Sequence, residues 1–265
     1  MLDVPIKEIW HYRDLLYLFV KRDFIAFYKQ TILGPLWFII QPILTTLMFT
    51  LVFGRIAGLS TDGLPQILFY LAGITVWGYF SETLNKTSKT FSDNAPLFGK
   101  VYFPRMITPL AIITSNLMRF GVQLGIFLVF LAYYWAHGSV QPNSAVLLLP
   151  LLVLVMASIS LGLGLIFSAM TTKYRDLRFL LQFGIQLFMY VTPVIYPTSA
   201  IPAKYSFYIQ LNPLTPIVET FRYAFLGAGD MSVGGLVYSC SFAFVILFLG
   251  VIIFNRAERT FMDTV

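Results

Sequence analysis

Residues 145–170 read AVLLLPLLVLVMASISLGLGLIFSAM and contain no charged side chain. A helix needs ~20 mainly apolar residues to cross a hydrocarbon core of about 30 Å. The stretch therefore predicts a membrane-spanning helix. The composition of the whole chain agrees, because only 11% of its residues are charged, whereas about 25% are charged in a typical soluble domain.

Five further apolar stretches predict spans, and they cover residues 36–53, 67–80, 108–135, 179–196 and 235–254. The stretch 67–80 is short, so its helix is expected to extend into residues 65–84. The predicted fold class is an all-α integral membrane protein with six transmembrane helices. The chain is predicted to form one transmembrane domain over residues 1–265, made of an N-terminal interfacial segment 1–34, a six-span domain 35–254 and a tail 255–265.

Lysine and arginine alternate between the segments that join these spans. Fourteen of the 18 lie in the N-terminal segment and in every second segment after it, three lie in the intervening segments, and Arg119 lies inside a span. Cytoplasmic segments of membrane proteins are enriched in these residues. We therefore expect both termini to be cytoplasmic.

Residues 9–28 mix large apolar side chains with charged ones. This pattern is typical of an amphipathic helix that lies in the membrane interface. An ordinary soluble helix is the alternative. Gly34-Pro35 then turns the chain into the first span.

The external segment 197–233 is long and apolar, and Pro202, Pro213 and Pro216 interrupt it. We expect two re-entrant helices between spans five and six, because non-helical backbone at membrane depth must be buried in protein or line a cavity. A seventh span is the alternative, but it would place Glu219 and Arg222 in lipid.

Several function classes lack their sequence signatures. Gly99-Lys100 is followed by Val101 and has no glycine five residues earlier, so the chain has no P-loop. His11 and His137 are isolated, and Cys240 is the single cysteine, so neither a zinc-protease motif nor a disulfide framework is present. No soluble basic module is available for nucleic acid. Catalysis by this chain is not expected.

Two ionisable features within apolar sequence suggest function. Arg119 is costly in the middle of a span. It is expected either to face a conduit and meet an anionic substrate or to form a structural pair, with Glu82 as one possible partner; the third alternative is that the true centre of the span lies further along. Glu219 and Arg222 share a helix face at a spacing of three. They are expected to form part of an external gate or a local surface pair.

Aromatic side chains make up 17% of the chain. Many lie at span ends, as interfacial belts require. Others exceed this need and are candidates for lining a sugar path, with core packing as the alternative for each: Phe69, Tyr70, Trp77, Tyr79, Phe80, Phe183, Phe188 and Tyr190, to which Arg119 is added as a path residue.

The chain resembles a known family over nearly its whole length: the permease subunits of ABC transporters that export cell-surface polysaccharides such as O-antigen, capsule and teichoic acid. The stretches that carry the resemblance are KRDF (21–24), YKQT (28–31), LGPLW (33–37), QP (41–42), FG (53–54), PL (96–97), KVYFPR (100–105), YRDL (174–177), NP (212–213) and Arg222. Each is weak alone, and the combination is specific.

The resemblance implies a homodimer of this chain with two copies of a separate ATPase subunit, which would bind ATP and Mg, so no cofactor is expected in this chain. It implies a multi-pass protein of the bacterial inner membrane. The cargo implied is a polyprenyl-pyrophosphate-linked polysaccharide, with O-antigen favoured. Membrane lipid is a further partner, and nucleic acid is not.

The resemblance also implies roles for particular segments. Residues 10–30 resemble an interfacial helix at the cytoplasmic entrance, where Lys21, Arg22 and Lys29 are candidates to meet the carrier pyrophosphate. Residues 93–100 resemble a coupling helix, and the loop 171–178 resembles a second ATPase contact; the candidate coupling residues are Asp93, Asn94, Leu97, Phe98, Lys100, Arg175 and Asp176. Residues 197–229 resemble external gate helices, with Tyr205, Tyr208, Glu219 and Arg222 as gate residues.

Three other functions stay open. An exporter of a drug or small lipid would share this architecture. An intramembrane enzyme acting on polyprenyl-linked glycans would need clustered catalytic groups, whereas the carboxylates here are scattered. A channel or secondary transporter would carry polar groups at mid-membrane, where only Arg119 qualifies.

Overall fold

The computed structural model describes residues 6–28, 32–101, 103–174 and 176–262. Within these residues the chain is helical and contains no strand. The α-helices are α1 (Ile6–His11), α2 (Arg13–Tyr28), α3 (Trp37–Phe49), α4 (Gln66–Thr87), α5 (Thr90–Phe98), α6 (Ile107–Ala136), α7 (Leu149–Lys173), α8 (Leu177–Val191), α9 (Ala203–Gln210), α10 (Thr215–Leu226) and α11 (Val233–Met262).

Five helical stretches among the described residues are long and apolar enough to cross a membrane. They are Gly34–Ile56, Gln66–Thr87, Ile107–Ala136, Ser144–Lys173 and Val233–Glu258. The first combines α3 with a wide π-helical turn over Thr50–Ile56. The prediction of an all-α membrane protein is confirmed. The sixth predicted span corresponds to α8, which is a shorter apolar helix.

Helix α8 is shorter than the predicted span 179–196. It has 15 residues, which extend about 22 Å at 1.5 Å per residue. Thr192 is extended, with φ −90° and ψ 138°, because the ring of a following proline disfavours helical backbone. The predicted end at residue 196 is therefore wrong, since Pro193 ends the helix at Val191.

Helix α4 lies at the centre of the subunit. In the apolar stretch of α4, 72% of the residues are buried, whereas 22% are buried in the apolar stretches of the spans that contain α3, α6 and α11. One core cluster joins α4 to α6, α7 and α10. A second cluster joins α2, α5 and the end of α11 through Phe19, Phe91, Phe98 and Phe254.

Helices α7 and α11 pack along each other and touch at two glycines. A Cβ atom added to Gly250 would lie 2.5 Å from the carbonyl oxygen of Gly162. Small residues permit this close approach of membrane helices. By contrast, a Cβ atom added to Gly121 or Gly125 on α6 would meet nothing within 4 Å.

The segment predicted to hold two short external helices forms α9 and α10. Helix α9 exposes Tyr205 and Tyr208, whereas α10 is buried along almost its whole length. Helix α10 ends at Gly227, whose φ of +76° is accessible to glycine. The two helices therefore differ in setting: α10 belongs to the core, and α9 lies on the surface.

Candidate functional site

A groove of about 470 Å³ runs between α4 and α8. The α8 side chains that line it include Gln182, Phe183, Gln186 and Tyr190, which share one helix face at spacings of three and four. Phe183 and Tyr190 are 60% and 53% exposed in the subunit. Their rings and the two amides are therefore available to a bound molecule.

A second cavity of about 180 Å³ lies between α3, α4 and α6. Its polar lining includes Gln41, Ser81, Glu82, Asn116, Arg119 and Gln123. Trp77, Ser81, Glu82 and Met189 line both the cavity and the groove. The two spaces therefore adjoin each other along α4.

Glu82, at the wall of this cavity, contacts two basic side chains. Its Oε1 lies 3.0 Å from Nη1 of Arg119 and 3.2 Å from Nζ of Lys86. Arg119 also donates to Oε1 of Gln41 at 3.1 Å, and Lys86 donates to Oδ1 of Asn116 at 3.3 Å. The predicted pair of Arg119 with Glu82 is confirmed. Gln41, Glu82, Asn116 and Arg119 line the cavity.

The structure divides the aromatic candidates into core and groove. Phe69, Tyr70, Tyr79 and Phe80 are at most 3% exposed, because α4 is surrounded by other helices. Phe188 is partly buried, with its ring centroid 6.1 Å from that of Trp77. Phe69, Tyr70 and Phe80 therefore pack in the core, the alternative that the sequence left open, and the buried Tyr79 lies at the wall of the cavity between α3, α4 and α6. Trp77, Phe183 and Tyr190 line the groove.

The candidate coupling helix is α5, and the candidate coupling residues in and beside it are partly exposed to solvent and partly buried against the rest of the chain. Asp93 and Lys100 are exposed, Asn94 and Leu97 are half-buried, and Phe98 is buried in the second core cluster. Asp176 is exposed at the start of α8, and Arg175 lies outside the described residues. The exposed side chains are accessible to a partner, whereas Phe98 holds the helix to the subunit.

Helix α5 is fixed to α7 and α11 at several points. The backbone N–H of Phe91 donates to Oγ of Ser168 at 3.3 Å, and the Thr171 hydroxyl donates to the carbonyl of Ser88 at 3.2 Å. The ring of Phe91 stacks on that of Phe254, with the centroids 4.6 Å apart. Displacement of α5 would therefore move the ends of α7 and α11 that contact it.

The N-terminal basic residues lie at the surface of α2. Lys21 is exposed. Arg22 pairs with its neighbour Asp23 at 2.8 Å, and its guanidinium lies 4.6 Å from the ring centroid of Phe19. Lys29 lies outside the described residues. The structure therefore places Lys21 and Arg22 on the exposed surface of one helix.

Arg222 is 1% exposed and Glu219 is 4% exposed. Their side chains lie 3.4 Å apart, so the predicted pair is confirmed, but the alternative of a surface pair is wrong. Arg222 donates to the carbonyl oxygens of Pro193 at 2.6 Å and Val194 at 2.7 Å. Its guanidinium also lies 3.7 Å from the ring centroid of Phe69.

Sequence reasoning missed several residues of these sites. Gln41, Lys86, Asn116, Gln182 and Gln186 contribute polar atoms to the cavity, the groove or the ion cluster. The spacing of polar residues could have identified some of them. Gln182 and Gln186 lie four residues apart in an apolar helix, as do Glu82 and Lys86, and residues at this spacing share a helix face.

Comparison with known proteins adds independent information. Residues 14–226 match the family described as ABC-2 type transporter. The chain is 28% identical to the O-antigen export system permease protein RfbA of Myxococcus xanthus over 98% of each chain. It is 27% identical to a protein of the same name from Klebsiella pneumoniae over 94% of each chain. It is 25% identical to the polysialic acid transport protein KpsM of Escherichia coli over 88% of this chain and 89% of that one.

Proposed function

Because the chain belongs to the ABC-2 type transporter family, we propose that it is the membrane-spanning subunit of an ATP-driven exporter of a lipid-linked cell-surface polysaccharide. The names of its relatives support this cargo, since they denote O-antigen export and polysialic acid transport. O-antigen is the favoured polymer, because the relatives that cover most of this chain carry that name.

The exporter is proposed to contain two copies of this chain and two copies of a separate ATPase subunit, which binds ATP and Mg. It works in the bacterial inner membrane with both termini in the cytoplasm. The distribution of lysine and arginine supports this orientation. The exposed Asp93 of α5, Lys100 just after α5, and Asp176 are the proposed ATPase contacts.

The groove between α4 and α8 is the proposed sugar path, and its lining is the observation that carries the proposal. Aromatic faces stack on the C–H faces of sugar rings, and amides such as Gln182 and Gln186 both donate and accept hydrogen bonds. Such contacts are individually weak and repeat along the groove. A long polymer can therefore slide through it without being held at one position.

ATP binding is proposed to close the ATPase subunits against α5, whose contacts with α7 and α11 pass the motion to the spans. Helices α9 and α10 form the external gate. Lys21, Arg22 and Lys29 are proposed to meet the carrier pyrophosphate as it arrives at the cytoplasmic entrance. The ATPase subunit supplies the chemistry, and this chain supplies the path.

The double variant Phe183→Ala, Tyr190→Ala tests the proposed path. We expect surface polysaccharide to fall severalfold in cells that express it, with the variant still present in the membrane. The matched control is Phe244→Ala, which removes a 72% exposed ring of α11 outside the groove and is expected to leave export unchanged. Normal export by the double variant would contradict the path.

A further inference from the structure

The groove between α4 and α8 carries an inference that rests on the proposed function and deepens it. We propose that this groove selects polymers of uncharged sugar units over polymers of acidic ones, and that Glu82 is the side chain that sets the selection. The names of the relatives do not decide this property, since one of them names polysialic acid and others name O-antigen.

The groove is lined by two rows of side chains, one on each helix. The rows are Trp77, Ser81 and Asn85 on α4 and Gln182, Gln186 and Tyr190 on α8. Successive members of a row lie four residues apart, so they share a helix face and follow each other at about 6 Å along the axis. A chain of sugar units that extends along the groove can therefore meet similar contacts at several positions.

The amides of the groove are available to such a chain. Within the part of the protein that the structure describes, the side chains of Asn85, Gln182 and Gln186 make no hydrogen bond, and both glutamines are exposed. An amide side chain donates as well as accepts hydrogen bonds. It can therefore pair with a sugar hydroxyl or with an N-acetyl group, and both are uncharged.

Glu82 is the charged side chain among the described residues that line the groove. Its Oε1 lies 3.0 Å from Nη1 of Arg119 and 3.2 Å from Nζ of Lys86, so two contacts hold the carboxylate in place. Arg119 lines the neighbouring cavity, whereas Glu82 lines both spaces. A polymer in the groove therefore contacts the carboxylate rather than the guanidinium. An ionised carboxylate has about four lone-pair sites, so Glu82 can still accept a hydrogen bond from a sugar hydroxyl.

An acidic sugar matches this lining poorly. Its carboxylate would bring a second negative charge close to Glu82, and like charges placed together across an interface oppose binding. It also accepts hydrogen bonds without donating any, as Glu82 does. The rings of Trp77, Phe183 and Tyr190 add to the effect, because the face of an aromatic ring is negative. A hydroxyl group in the same position brings a donor and no charge.

Binding of two matched oligosaccharides to the purified permease–ATPase complex tests the proposal. The complex is held in nanodiscs of zwitterionic lipid, and its ATP sites are saturated with a non-hydrolysable analogue. The probes are hexagalacturonate, which has a carboxylate on every sugar, and its full methyl ester, which has the same backbone and no charge. Saturation-transfer NMR measures both dissociation constants, and their ratio is the readout.

We expect the wild-type complex to bind the ester about tenfold more tightly than the acid. Glu82→Gln keeps the size of the side chain but removes its charge, so we expect the preference to fall to about threefold or less. Gln186→Lys places a cation in the groove and is expected to reverse the preference. A merely structural effect would weaken both probes alike and leave the ratio unchanged.

The matched control is Gln210→Lys, which makes the same substitution at an exposed position of α9 outside the groove. We expect it to leave the ratio unchanged. Equal binding of the two probes by the wild type, tighter binding of the acid, or binding of neither would overturn the selection. An unchanged ratio in Glu82→Gln would overturn the role of that side chain. If Glu82→Gln fails to fold, Gln186→Lys decides whether the groove makes the selection.

Failure of this selection and failure of the proposed function give different results. If the wild-type complex exports polysaccharide but binds both probes equally, the selection is wrong and the function stands. If the wild-type complex exports no polysaccharide, the function is wrong, and the ratio of the two dissociation constants still decides whether the groove prefers uncharged sugars.

Discussion

The ring of Phe91 in α5 stacks on the ring of Phe254 in α11, with centroids 4.6 Å apart and planes inclined by 24°. Phe254 is fully buried. Close by, Arg105 donates to the backbone carbonyl of Glu258 at 3.2 Å, and its guanidinium lies 5.2 Å from the ring centroid of Phe98. The C-terminal end of α11 therefore supports α5, the helix that we propose contacts the ATPase.

Phe254→Leu tests this contact between α11 and α5. Leucine keeps an apolar side chain in the site but loses the stacked ring pair, worth about 0.5–1.5 kcal/mol. We expect the complex to assemble and to hydrolyse ATP, but to export less polysaccharide for each ATP consumed. The ratio of exported polymer to phosphate released measures this effect, with Phe244→Ala as the control. An unchanged ratio would show that the stack plays no part in transmission.

Arg222→Met tests the buried network that Arg222 forms with Glu219, Pro193 and Val194. It leaves the carbonyls of Pro193 and Val194 without their donor and the Glu219 carboxylate without its cation. Removing one member of a buried ion pair costs about 3–5 kcal/mol. We expect a lower thermal unfolding midpoint of the purified protein and less protein in the membrane.

Lys204→Met provides the control for that change, because Lys204 is exposed on α9. It removes the same kind of charge and is expected to leave the unfolding midpoint within about one degree, since surface substitutions usually change stability by less than 0.5 kcal/mol. Equal midpoints for Arg222→Met and Lys204→Met would contradict the structural importance of the network.

Gly250→Ala tests the contact between α7 and α11. The new Cβ atom would lie 2.5 Å from the Gly162 carbonyl oxygen, and both partners are helix backbone, so the helices must separate. Overpacking of this kind costs about 1–3 kcal/mol. Gly121→Ala adds the same methyl group to open space on α6 and is expected to leave subunit stability unchanged. Unfolding midpoints of the two variants compare them, and equal values would mean that the helices do not meet as closely as described.

The membrane architecture could be predicted from the sequence because long uncharged stretches have few alternatives. The end of α8 was predictable in principle from Pro193, but the apolar residues after it masked the break. The orientation of α4 was not predictable from the sequence. Residues 67–80 are apolar on every side of the helix, so hydrophobic periodicity does not show that Phe69 and Tyr79 are in the core while Trp77 reaches the groove.

The contacts of the buried arginines were also predictable only in part. The spacing of three residues predicted the contact of Glu219 with Arg222, and the cost of a lone arginine in a span pointed to Glu82 as a partner for Arg119. The carbonyl oxygens of Pro193 and Val194 lie 29 and 28 residues from Arg222 in sequence. No local pattern encodes such contacts, because they depend on how α8 ends and where α10 packs.

The most direct test of the central claim is co-purification of this chain with its candidate ATPase subunit on a tag carried only by this chain, followed by ATP hydrolysis in lipid. The account predicts a stable complex whose hydrolysis responds to the polysaccharide. It also predicts that Lys100→Glu, two residues after the end of α5, weakens both assembly and response, whereas Lys204→Glu on α9 changes neither. A chain that purifies without an ATPase, or a complex indifferent to Lys100→Glu, would contradict the account.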